Sequence, residues 1–239
     1  MFDLIITTGL TIAILLLLGL GHWASRREAF SVRWLLVAAG LVVFNDAALT
    51  QIYGLLPDMF KSYTYNWQGK LLAIAITLAI AAHPAFGWKR CGLTFAQNTE
   101  GRKLTYGVAT FVGLLFIGQA LYFPNDSFGR EDIMFQMTMP GLQEEPFYRG
   151  IFLLALNEAF RWRRQALGIN LSWGVILTSS LFGLVHASGF EDGAFYFNWM
   201  TLAVTTWPAI AFVWLRERTG SIVLPLLFHN FGNTMLTLL

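Results

Sequence analysis

Residues 140–160 open with Pro140-Gly141-Leu142-Gln143-Glu144-Glu145-Pro146-Phe147-Tyr148-Arg149-Gly150. The apolar run 151–156 follows, then Asn157-Glu158-Ala159-Phe160. Four ionisable groups, Glu144, Glu145, Arg149 and Glu158, interrupt a stretch that is otherwise apolar. It is long enough to cross about 30 Å of hydrocarbon, which takes about 20 residues. Whether this stretch is a membrane helix decides the fold. A hydropathy plot would pass over it, but the charges on either side require it.

Seven apolar runs, free of ionised residues when histidine is set aside, flank it. They are 4–21, 34–56 (broken only by Asp46), 71–88, 104–123, a run within 171–188, 194–215 and 221–239. With 140–160 as the fifth, they make eight spans. The connections after spans one, three, five and seven hold twelve basic residues: Arg26, Arg27, Arg33; Lys89, Arg90, Arg102, Lys103; Arg161, Arg163, Arg164; Arg216 and Arg218. Those after spans two, four and six hold three, Lys61, Lys70 and Arg130, and the sixteenth is Arg149 inside span five. Positive residues stay on the cytoplasmic side. The odd connections therefore face the cytoplasm and both termini face outward, an alternation that works only with eight spans. No internal repeat, low-complexity tract or soluble domain stands out. Residues 1–239 read as a single all-α membrane domain, a bundle of about eight transmembrane helices.

Composition agrees. Hydrophobic residues make up 56% and charged residues 13%, with mean hydropathy +0.55. A soluble domain carries about 25% charged residues, so most of this surface is expected to face lipid. A net charge of +2 with no basic arm excludes nucleic acid as a partner. The single cysteine, Cys91, permits no disulfide within the chain and no Cys-rich metal site, and with no activating base beside it reads as a small filler. The start, Met1-Phe2-Asp3, lacks a basic n-region, and the basic residues follow the apolar run, so the first span is expected to be retained. Ahead of span five, Arg130, Glu131 and Asp132 sit outside and 133–139 reads as an interfacial or re-entrant piece. Proline suits the first turn of a helix, so the span is expected to begin near Pro140, with Glu144 and Glu145 one turn below the outer surface.

Ionisable groups within a membrane are costly and usually functional. Here they cluster in three spans. In the first cluster, Glu145 and Arg149 are i and i+4 and share a helix face, whereas Glu144 points about 100° away and lacks that partner. A carboxylate in apolar surroundings is a competent general base; the alternative is a pair of structural ion pairs. The second cluster is Phe182-Gly183-Leu184-Val185-His186, at the outer end of span six, level with Glu144. The third is His229-Asn230-Phe231-Gly232-Asn233, where His229 and Asn233 share one face and Gly232 allows a close approach; the alternative there is hydrogen-bonding between helices. Together the clusters supply a carboxylate, two histidines and a carboxamide, a set suited to peptide hydrolysis. Glu144 and His186 would hold and deprotonate a water, and His229 and Asn233 would stabilise the oxyanion.

The ordered trio Glu144-Glu145…Arg149, Phe182…His186 and His229…Asn233 resembles the EExxxR, FxxxH and HxxxN pattern of the CAAX prenyl endopeptidase and bacteriocin-processing family, also called the CPBP or Abi family. The motifs cover spans five to eight, within 140–239. The resemblance implies a glutamate-type intramembrane protease without a metal cofactor. In it Glu144 and His186 activate water, His229 and Asn233 form the oxyanion hole, and Glu145, Arg149, Phe182 and Asn230 support them. Members act on prenylated CAAX tails, bacteriocin leaders, regulatory peptides and sorting tails of exported proteins. Because the charge count puts the motif ends at the outer face, the expected partner is a membrane-tethered or exported peptide, within the bilayer of a prokaryotic inner or plasma membrane. Two other readings stand beside it. In one, Glu144, His186 and His229 ligate zinc and leave a fourth position for water, although no HExxH helix is present. In the other, the cluster binds a peptide without cutting it, as an immunity protein would. A proton-relay transporter would show inverted repeats, and none is found. Asp46, with Asn45 and Gln51, lies outside these motifs and is expected to hydrogen-bond the bundle interior, the alternative being to line the substrate cavity.

Overall fold

The computed structural model describes residues 2–25, 27–123, 128–191 and 193–239. Met1, from which the retained start is read, and Arg26, one of the basic residues of the first connection, lie outside the described residues. The chain is mostly helical and packs as two compact units, one made of Met1–Asp46 and Phe152–Trp214, the other of Ala47–Ile151 and Leu215–Leu239.

The first unit contains α1 (Phe2–Ser25), most of α2 (Val32–Thr50), α6 (Leu153–Ala159), α7 (Trp173–Ala187) and α8 (Trp199–Thr219) as far as Trp214. Leu153, Val175 and Val213 form a buried core with Leu171 against it. The backbone of Phe30 bridges to that of Phe160, closing the α1–α2 connection onto the end of α6. Ser172 caps α7 by accepting from the Val175 N–H at 3.1 Å, and its hydroxyl donates to Asn157 Oδ1 at 2.6 Å. This satisfies one donor that a helix start would otherwise expose.

Two antiparallel hairpins interrupt the all-α expectation. β1 (Arg163–Ala166) pairs with β2 (Ile169–Ser172), and β3 (Ser188–Glu191) pairs with β4 (Ala194–Phe197). The first turns through Leu167 and Gly168, both at positive φ (55° and 73°), the geometry a two-residue hairpin loop needs to match strand twist. Leu167 is held there because its carbonyl accepts from Trp214 Nε1 at 2.9 Å. The second hairpin takes up the start of the run read as span seven, so α8 begins at Trp199 rather than at Ala194. Aromatic Phe195-Tyr196-Phe197 favours a strand over a helix start. Phe190 N–H donates to Thr7 Oγ1 of α1 at 3.2 Å and ties β3 to that helix. Asp46 in α2 hydrogen-bonds the Thr8 side chain in α1, a structural use for that half-buried carboxylate.

The second unit contains α3 (Trp67–Ala82), α4 (Arg102–Tyr122), α5 (Arg130–Glu145), a π-helical segment (Pro146–Phe152, of which the first six residues belong here) and α9 (Val223–Leu238). α9 packs on both α4 and α5, and α3 packs on α5. Phe116 lies over Gly232 and Phe228 over Gly113, so two glycines accept aromatic rings where α4 meets α9. The connections sort by end. Glu131 at the start of α5 accepts from the backbone N–H groups of Thr64 (2.9 Å) and Tyr65 (3.0 Å) and from Trp67 Nε1 (3.1 Å), joining the 57–70 connection to the one before α5. At the opposite end of α5, Arg216 donates to the carbonyls of Arg149 (3.1 Å) and Arg90 (2.6 Å), and Ile222 N–H donates to Gly92 at 2.9 Å. The Glu131 carboxyl is held below the usual carboxylate range, chiefly by the Tyr65 N–H. Its clasp is therefore complete above that range and is lost as pH falls through the depressed value.

Helices Ile6–Ala24, Val32–Thr50 and Arg102–Tyr122 are long and apolar enough to cross a membrane. Apolar α3 and α7 are shorter, 16 and 15 residues, or about 24 Å at 1.5 Å per residue.

α5 departs from expectation at its start. It is one helix from Arg130 through Pro140, and 133–139 is not a separate interfacial piece. A proline inside a helix removes one hydrogen bond and crowds the preceding turn. Here Gly141, the next residue, gives its N–H to Asn230 Oδ1 of α9 at 2.7 Å. Glu144 is thus 14 residues, about 20 Å of helix, from the start of α5 rather than one turn in.

Candidate active site

Glu144 and Glu145 close α5, and Pro146 then opens a π-helical turn that carries Arg149. Pro146 has no N–H to continue the α-helical ladder, and such π turns recur at functional sites. The wider turn still lets Glu145 and Arg149 meet as i and i+4, with Arg149 Nη1 3.1 Å from Glu145 Oε1 and both side chains fully buried. The pairing read from the spacing is present.

α9 brings His229 to the same place. Its Nδ1 lies 2.6 Å from Glu145 Oε1, and its Nε2 lies 3.8 Å from Glu144 Oε2. A carboxylate oxygen ionised beside Arg149 can only accept, so Nδ1 is the donor and Nε2 is the nitrogen turned toward Glu144. Glu145 and Arg149 therefore fix the tautomer and the ring of His229, as a carboxylate behind a histidine does in other catalytic sites. An Nε2 without a proton accepts from a water, and one that carries a proton donates to a developing oxyanion.

Glu144 is not left without an ionic partner, as the i, i+4 argument suggested. Lys70 Nζ on the first turn of α3 lies 2.7 Å from Glu144 Oε1 and 2.9 Å from Gln143 Oε1. Lysine reaches there because its four-carbon stem can lie along apolar surface while its ammonium finds an acceptor. Sequence reasoning counts Lys70 only as a connection charge and passes over Gln143, which is fully buried. A polar signal exists in the spacing of Gln136, Gln143 and Glu144, since seven residues are two turns and keep one face.

Asn233 Nδ2 donates to Gln136 Oε1 at 3.1 Å, which holds the carboxamide against α5 and leaves its second N–H. Asn230 has a separate task, the Gly141 N–H. Gly141 is needed for that approach. A Cβ built there would lie 2.9 Å from the Leu226 carbonyl, part of the α9 backbone. Gly141→Ala is expected to push α9 off α5 and to lower stability by about 1–3 kcal/mol, as overpacking does. Thermal unfolding in detergent measures it, and an unchanged Tm would mean that α9 yields freely.

Phe182 and His186 belong to the other unit. There His186 Nδ1 lies 2.7 Å from the Phe182 carbonyl, and the two rings are 4.5 Å apart. A carbonyl can only accept, so Nδ1 carries the proton and Nε2 is left as an acceptor. The four-residue spacing of this pair thus sets the tautomer a general base needs. Gly183 faces Thr206 of α8, where a side chain would have no room. Of the eight residues read from sequence, Glu144, Glu145, Arg149, His229, Asn230 and Asn233 come together in the second unit, and Phe182 and His186 come together in the first.

Cys91 is buried, and burial pushes its thiol up to about 11, as expected of a filler and not of a nucleophile. Among the described residues no three or more His, Cys, Asp or Glu side chains converge in a way that could hold a metal ion.

Residues 131–235, from the start of α5 to the last turns of α9, match the family model described as type II CAAX prenyl endopeptidase Rce1-like. No curated protein and no solved structure matches the chain. The matched stretch contains all three motifs, and over it the chain is similar to the Rce1-like type II CAAX prenyl endopeptidases, which are peptide hydrolases.

Proposed function

We propose that this chain is an intramembrane endopeptidase that hydrolyses a peptide bond of an exported or membrane-tethered protein, with water activated by Glu144. The observation that carries this reading is the meeting of Glu144 Oε2 with His229 Nε2 at 3.8 Å, with His229 held from behind by the buried Glu145–Arg149 pair. Glu144 takes a proton from water as the oxygen attacks the scissile carbonyl. The resemblance of Phe182…His186 to the FxxxH motif is what supports a share for His186, whose Nε2 is the acceptor, in holding that water. His229 and the second N–H of Asn233 stabilise the oxyanion, and the proton on Glu144 passes to the leaving amide nitrogen as the C–N bond breaks.

The sorting or maturation role rests on the charge distribution. Twelve basic residues in the odd connections support a cytoplasmic side there and both termini outside. In an eight-span bundle span six then ends at His186 toward the outer side, which favours an exported or membrane-tethered substrate over prenylated cytosolic tails.

The test is cleavage in liposomes of two internally quenched reporter peptides, one with an apolar C-terminal membrane anchor and one with a farnesylated CAAX-type tail. Wild type, Glu144→Gln and chelator-treated wild type are compared. Cleavage of the anchored reporter that Glu144→Gln loses and the chelator spares supports the proposal. Loss with chelator and return with zinc would replace it with the metal reading through Glu144, His186 and His229. Preference for the farnesylated reporter would remove the sorting role and keep the protease. Tight binding of both reporters without cleavage would favour a non-catalytic peptide-binding protein.

A further inference from the structure

The Lys70 ammonium is a group for which the hydrolytic mechanism supplies no role, yet it lies 2.7 Å from Glu144 Oε1, the distance of a charge-assisted hydrogen bond. Its side chain and that of Glu144 are 16% and 14% exposed, so water competes little for either. Gln143, fully buried and adjacent in sequence, accepts from the same ammonium at 2.9 Å. Two acceptors from one helix end thus fix a flexible lysine in one place.

We propose that Lys70 is a positioning residue for Glu144 in peptide hydrolysis, an inference that rests on the glutamate reading of this site. A carboxylate has two oxygens and rotates freely unless one is held. With Oε1 bound to Lys70, Oε2 is the oxygen presented to His229 Nε2, 3.8 Å away. A water bound by Oε2 is then placed on the side where His229 and Asn233 receive the oxyanion. As the water attacks, its O–H bond breaks and the proton goes to Oε2. The new C–O bond forms, and the carbonyl electron pair moves onto the carbonyl oxygen. Lys70 gives up no proton in this step and touches no reacting atom. Its effect is geometric, and a displacement of about 1 Å in such a site can cost about 10²-fold in rate. The rival account is a stitch between α3 and α5 that serves stability alone.

The two accounts part in a substitution followed by chemical restoration. Lys70→Cys removes the ammonium. Alkylation with 2-bromoethylamine then restores an ammonium at nearly lysine length, and mass spectrometry confirms the modification. Cys91 stays unmodified because it is buried and its thiol is pushed up to about 11. The readouts are kcat and KM per folded molecule with whichever reporter the wild type cleaves faster, and Tm. Lys70→Cys is expected to lower kcat about 30-fold with KM within about twofold, and aminoethylation to recover kcat to within about threefold of wild type, the pattern of an interaction used in the transition state. Wild-type kcat in Lys70→Cys, or a confirmed aminoethyl adduct that restores Tm without restoring kcat, would overturn the proposal. Glu144→Gln in parallel separates the two levels. If it is inactive while Lys70→Cys is unaffected, only the role of Lys70 falls. If it keeps wild-type activity, the glutamate reading itself fails.

Discussion

Glu144→Gln is expected to lower kcat about 10³-fold, in the middle of the 10²–10⁴ range that a positioned general base contributes, while KM and Tm change little. The substitution is close to isosteric, and the glutamine Oε1 still accepts from Lys70, so the α3–α5 contact survives at 2.7 Å geometry. The contacts that join Glu145 to Arg149 and His229 are kept, because they run through Glu145 Oε1. What is lost is the capacity of the second oxygen to take a proton from water. The measurement is single-turnover cleavage of the anchored reporter in liposomes, which separates chemistry from binding and release. A variant within tenfold of wild type would remove Glu144 from the role of base and shift attention to His186, whose Nε2 is an acceptor on the grounds of its own hydrogen bond.

How much of this is legible in the sequence differs from residue to residue. The Glu145–Arg149 pair follows from helical periodicity alone, because two ionised groups in an apolar helix have nowhere else to turn. The α9 face of His229 and Asn233 is legible for the same reason. Lys70 is not, because a lysine at the edge of an apolar run carries a topological signal that hides any structural one. Its reach of a full side chain into α5 depends on how α3 and α5 cross, which no local pattern encodes. The course of α5 eludes the sequence because Pro140-Gly141 carries a strong helix-start signal. That signal yields when a side chain on another helix, Asn230, takes up the Gly141 N–H. The π turn after Pro146 and the two hairpins are not legible either. Each depends on a few residues whose preferences are small beside the apolar runs around them.

The buried set behind His229 carries the largest expected effect on stability. Arg149→Met is expected to destabilise the protein by about 3–5 kcal/mol, since removing one partner of a buried pair leaves the other uncompensated. In a chain of 239 residues that is on the order of 10 °C in Tm. Arg149 and Glu145 are both fully buried, so no solvent screening reduces the figure. The double variant Glu145→Gln with Arg149→Met is expected to be more stable than Arg149→Met alone, because it removes the stranded charge and keeps an acceptor for His229 Nδ1. A coupling of about 0.5–3 kcal/mol in the double-mutant cycle measures the pair. The same comparison bears on function. If Glu145 serves to hold His229 and set its tautomer, the double variant recovers Tm but not full activity, because a neutral amide orients the imidazole without favouring its charged form. If the double variant recovers both together, the pair is structural and His229 needs only an acceptor behind it. Thermal unfolding in detergent, followed on the same preparations by reporter cleavage at a temperature where every variant is folded, distinguishes the two.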